Sequence, residues 1–155
     1  MDKKFLKKII AQSPEDLQII SACCSEAKVK ISDIKYLPSN KIFLLSLLRI
    51  DRENQKNKNL IKSIIKFEFI ESSKSKNISQ NNHNISLELL AIDIFKREHN
   101  FEIILLFSKN RFITLTSEIC EVTLEDMEKW LKLLIVEVKI IKINLIYVYI
   151  FYYYN

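Results

Sequence analysis

The chain predicts an α+β domain: an N-terminal helix, about six antiparallel strands in one curled sheet, and a C-terminal helix. Three observations carry this. Ser86 to Glu121 reads as three apolar runs, SLELLAIDIF, FEIILLF and RFITLTSEICE, separated by the polar breaks KREHN and SKN. Short runs rich in Ile, Leu, Phe and Thr between such breaks form a three-stranded meander. Ser13-Pro14-Glu15-Asp16 and Thr123-Leu124-Glu125-Asp126 each read as a helix start. In both, a capping hydroxyl stands three residues before an acid.

In chain order, Pro14 suits a first helical turn, and Leu17, Ile20, Cys24 and Ala27 follow at helical spacing, so the first helix is expected from Pro14 to Ala27. Val29 and Ile31 begin a strand whose phase shifts at Ser32-Asp33 before Ile34 and Tyr36, which suggests a bulge. Leu37-Pro38-Ser39-Asn40 reads as a turn, with Asn40 able to take a left-handed conformation. Ile42 to Ile50 is an almost continuous apolar run and predicts a strand covered on both faces. Residues 51–59 are polar and charged, hence a loop. Leu60 to Glu71 predicts one strand, with Ile61, Ile65, Phe67 and Phe69 on one face and Ser63 interrupting it. Residues 72–84 hold Ser, Lys, Asn and Gln with Ile78, and read as a loop or frayed strand end. After the meander, Leu124, Met127, Leu131 and Leu134 share a helical face. The residues from 131 to 155 are apolar and β-prone, a hazard for aggregation unless they pair or are buried. Their charges leave only Ile143 to Tyr154 uninterrupted, too short to span a membrane. The expected organisation is a basic lead-in over 1–12, one domain over 13–130, and the tail. One sheet with two helices can curl into a partly open barrel of the pleckstrin-like kind, by analogy alone.

Composition narrows the chemistry. The 155 residues include no glycine. A phosphate-cradling P-loop, a Rossmann dinucleotide turn and a nucleophile elbow all need one, and none is present in its usual form. Turns needing positive φ are expected to use Asn or Asp. The net charge is +5, yet residues 11–129 hold 17 basic and 17 acidic side chains. The basicity therefore sits at the ends. Lys3, Lys4, Lys7 and Lys8 flank Phe5, Leu6, Ile9 and Ile10, a weak amphipathic pattern for a membrane surface that reads more simply as a solvated lead-in. A nucleic-acid-binding domain carries its basic patch on the folded body, so nucleic acid is discounted as a partner. Cys23, Cys24 and Cys120 have no metal-ligand spacing, and His83 and His99 both fall in polar breaks. Free thiols in a reducing, cytoplasmic compartment are expected, with no metal and no cofactor implied.

Two groups of residues draw a functional question. Arg49 stands inside an apolar strand and needs a carboxylate such as Asp33, Asp51 or Asp93. It is either a structural ion pair or an anion-binding arginine. Glu118, Cys120, Glu121, Glu125 and Asp126 cluster acids around a thiol. A nucleophilic cysteine needs an activating base, and nothing places either histidine beside Cys120. The simpler reading turns Cys120 inward with Thr116 and Glu118 and sends the acids to the start of the second helix.

Glu15 to Ala22, then Asp33-Ile34-Lys35-Tyr36-Leu37-Pro38 and Arg49, and later Glu118 to Val122 with Leu124, Asp126 and Trp130, together resemble the domain of unknown function 2948 family of short bacterial proteins. The likeness spans Leu6 to Trp130. It implies a small intracellular α+β domain and brings no activity with it. The tail from Leu131 and the missing glycines depart from the family pattern.

The expectation is a non-catalytic binding or protein-interaction module with a protein partner or a second copy of itself. The alternative is a small enzyme or anionic-ligand-binding protein using Arg49 with Asp33, or the Glu118–Glu121 cluster.

Overall fold

The computed structural model describes residues 7–52 and 59–127. Ten strands form one antiparallel sheet: β1 (Lys8–Ala11), β2 (Ala27–Lys30), β3 (Ile34–Leu37), β4 (Ile42–Ile50), β5 (Leu60–Phe67), β6 (Ile70–Lys76), β7 (Ser86–Lys96), β8 (Phe101–Phe107), β9 (Arg111–Ser117) and β10 (Val122–Asp126). Among the described residues one helix, α1 (Pro14–Cys24), packs against β7, β1 and β4. The strand order is β1-β10-β5-β4-β2-β7-β8-β9-β6, with β3 beside β4.

α1 begins as its sequence requires. The Ser13 hydroxyl accepts from the Asp16 N–H at 3.2 Å, and Asp16 Oδ2 accepts from the Gln12 N–H. It ends three residues earlier than Ala27, which starts β2 instead. Leu17, Ile20 and Cys24 are its buried face. Ser21 fastens it to the sheet by accepting from the Ile92 N–H.

β2 and β3 lie along the same edge of β4, separated by a 3-10 turn at Ile31–Asp33, the place of the phase shift. The turn at Pro38–Asn40 also forms, but Lys41 and not Asn40 takes the left-handed conformation, at φ 54°. β4 runs over the expected residues. Phe43, Leu45, Leu47 and Arg49 point inward, while the alternate side chains are half-buried or, at Leu48, exposed, so the strand is fully covered on one face only.

Leu60–Glu71 is two strands. The break falls at Phe69, whose φ of 59° turns the chain into a corner. There the Glu68 N–H donates to Glu121 O, and the Glu118 N–H donates to Phe69 O. β6 takes in the polar residues up to Lys76, part of the stretch read as loop, because a strand at the sheet margin needs few apolar side chains.

The meander forms as β7, β8 and β9 in register, Ile92 opposite Leu105 and Leu105 opposite Ile113. The β8–β9 connection is a three-residue loop between the paired Phe107 and Arg111, and it sets adjacent Lys109 and Asn110 at φ 62° and 56° without a glycine.

The expected helix from Thr123 does not start there. Residues 122–126 are β10, between β1 and β5. Val122, Leu124 and Asp126 are buried while Thr123 and Glu125 are not, a period of two that overrides the local capping pattern. The rest of that helix, and the tail, lie outside the described residues. Ten strands in place of about six arise mainly from the short strands β1, β6 and β10 and the division of β2 from β3.

The sheet curls. Its last strand, β6, returns to the β3–β4 turn, where the Ile70 N–H donates to Lys41 O and the Tyr36 hydroxyl donates to Ile70 O. The enclosed core holds Phe43, Phe67 and Phe107 with Leu17, Ile20 and Leu89.

Candidate functional site

Arg49 and Asp126 face inward from β4 and β10. Arg49 Nε donates to Asp126 Oδ1 at 2.8 Å, and Nη2 donates to Oδ2 at 2.5 Å. Ser63 Oγ donates to Oδ1, and the Lys7 N–H donates to Oδ2. Burial alone would raise the Asp126 pKa. The hydrogen bonds from Arg49, Ser63 and Lys7, with the guanidinium charge, outweigh it and hold the carboxyl below its ordinary value. Both side chains are almost wholly withdrawn from solvent. Ser63 thus interrupts the apolar face of β5 for a reason: it completes this network.

The other sequence-derived candidates lie elsewhere. Asp33 sits in the 3-10 turn, beside a groove of about 210 Å³ lined by Lys28, Lys30 and Lys62. Glu118 pairs with Lys41 on the surface and raises the lysine pKa through that hydrogen bond. Glu121 borders a groove of about 510 Å³ on the outer face of β10, β5 and β4, beside Lys8, Lys66 and Glu125. Asp93 accepts from the Ile94 N–H on the surface. Arg49, Asp33, Glu118 and Glu121 are therefore not brought together. Cys120 is buried in the turn before β10; burial raises its pKa and the Asp16 charge adds to that. Ser117, not Thr116, shares the inward phase of β9. Among the described residues no three His, Cys, Asp or Glu side chains gather as metal ligands.

A different place has the shape of a site. Among the described residues β3 pairs only with β4, and β6 only with β9. The Ile70 contacts join them at one end. Beyond these, the two free edges part around a cavity of about 440 Å³. Ile34, Lys35 and Tyr36 form one wall, and Ser73 and Ser75 the other. Phe43 and Ile113, both core residues, reach it from β4 and β9. Ile78, Gln80 and His83 come from the β6–β7 connection. Sequence reasoning missed this seam, because it depends on which strand edges stay unpaired after the sheet has curled. The available signal was the polar run after Ile70 beside the short strand at Tyr36.

No helix among the described residues is long and apolar enough to cross a membrane. No curated protein matches the chain. A crystal structure of an uncharacterized protein from Neisseria gonorrhoeae is similar at a TM-score of 0.42 and 15% identity, covering 78% of this chain and 99% of that one. A family model described as a protein of unknown function, DUF2948, matches residues 7–133. That match takes in both of the segments that carry the resemblance and all ten of the described strands, and the chain belongs to the DUF2948 family.

Proposed function

We propose that the chain is a non-catalytic protein-interaction module that takes an extended peptide segment into the seam between β3 and β6. The observation that carries this is the pair of strand edges, unpaired among the described residues, that flank one cavity. A strand edge offers main-chain donors and acceptors at the spacing of another strand, and pockets for alternate side chains then set the choice of sequence. Phe43 and Ile113 supply apolar surface for the inward-pointing side chains. The charged candidate Arg49 is engaged with Asp126 inside the fold, which favours a binding role over chemistry built on that side chain. Three free cysteines support a reducing, cytoplasmic setting.

The test is selection from a random dodecapeptide library displayed on phage, with Ser75→Trp as the counter-selection because indole fills the seam. Clones that bind the full chain and lose the variant are expected. Binders indifferent to Ser75→Trp would contradict the proposal.

Self-association is the second reading. Ile10, Leu48 and Leu60 are exposed at 53%, 39% and 58%. Light scattering on the full chain decides it: a dimer favours this reading and a monomer removes it.

A further inference from the structure

We infer that the seam selects peptides in which apolar and acidic residues alternate, an inference that rests on the peptide-binding reading above. Lys35 and His83 are the ionisable side chains that border the cavity with a basic group, and no carboxylate lines it. The other polar lining side chains, Ser32, Tyr36, Ser73, Ser75 and Gln80, carry no carboxylate or basic group. This is not the average of the molecule, whose residues 11–129 balance acids against bases. Lys28, Lys41 and Lys66 are each matched by a glutamate, at Glu88, Glu118 and Glu68. Among the described residues Lys35 and His83 have no such carboxylate. Asp33, close in sequence, faces the separate groove of Lys28, Lys30 and Lys62. β6 carries Lys74 and Lys76 against Glu71, which lies at the end of the strand near Lys41.

Register turns this charge into a pattern. Tyr36 stands opposite Phe43, on the inward phase of the sheet, and Lys35 stands opposite Leu44, on the outward phase. A guest strand lying along β3 has the same alternation. Its inward side chains meet Phe43 and Ile113, and its outward ones meet Lys35 and the lysines of β6. An acidic residue at an outward position gains an attraction in a partly enclosed site, whereas Lys or Arg there meets like charge.

The clones that depend on the seam are sequenced. Asp and Glu are expected at alternate positions, enriched about two- to fivefold over the unselected library, the range that a partly exposed ion pair supports. On Lys35→Ala that enrichment should disappear while neutral clones still bind. Seam-dependent clones without acid enrichment would overturn the acidic preference, and enrichment that survives Lys35→Ala would overturn its assignment to Lys35; both leave the peptide-binding reading standing. An absence of seam-dependent clones would overturn that reading itself. Ser73→Trp, on the same wall, serves as a second block, and circular dichroism checks that each variant is folded.

Discussion

Arg49 and Asp126 are 77 residues apart in sequence and form a two-bond ion pair on the inner face of the sheet. The pair ties β4 to β10, and the Lys7 N–H and the Ser63 hydroxyl tie the start of β1 and the middle of β5 to the same carboxylate. Four parts of the chain thus converge on one side chain.

Removing either partner should cost about 3–5 kcal/mol, because it strands a buried charge. Asp126→Asn, measured by urea unfolding at pH 7, should show that loss. Arg49→Met combined with Asp126→Leu should recover most of it, since an apolar pair leaves no charge behind. A double variant as unstable as the singles would mean that the ion pair is not the source of the effect.

The same carboxylate gives a pH dependence with a defined sign. Its pKa is lowered on folding, so its contribution is complete above the unfolded value, about 3.9 for Asp. It is lost as pH falls through the folded value. The stability gap between wild type and Asp126→Asn should therefore hold from pH 7 to about 5 and narrow below about 4. A gap that widens on acidification would contradict the network.

The thiols should separate by burial. Cys24 is enclosed between α1 and the sheet; burial, with the neighbouring Cys23, pushes its pKa up to about 12. Cys120 is raised by burial and by Asp16. Cys23 is half-buried, with Lys7 Nζ at 3.8 Å from its sulfur. A thiol reagent at pH 8 should modify Cys23 first, Cys120 slowly, and Cys24 only after unfolding. Peptide mass mapping over time reads the order, and early modification of Cys24 would refute it.

Lys109 and Asn110 hold positive φ side by side. A non-glycine residue there costs about 1–2 kcal/mol, partly offset by the greater freedom of glycine in the unfolded chain. Lys109→Gly should therefore raise stability by up to about 1 kcal/mol. Thermal unfolding checks it, and a lowered midpoint would argue against backbone strain at Lys109.

What was legible in the sequence was local. The Ser13 cap, the bounds of β4 and the three strands from Ser86 follow from signals within a few residues. The misreadings share a cause. Thr123 to Asp126 carries a capping pattern, but Asp126 is fixed inward by Arg49, a contact that no local window contains. The corner at Phe69 has no glycine or proline to mark it. The seam depends on which edges stay free once β6 has come round to Tyr36.

Hydrogen exchange of the backbone amides, with and without a seam-dependent peptide, tests the peptide-binding proposal most directly. Amides of residues 35–37 and 71–76 that point away from β4 and β9 should exchange quickly in the free chain and become protected by roughly tenfold or more when the peptide is bound. Protection confined instead to the outer face of β1, β10 and β5, or to α1, would place the partner elsewhere and contradict binding at the seam.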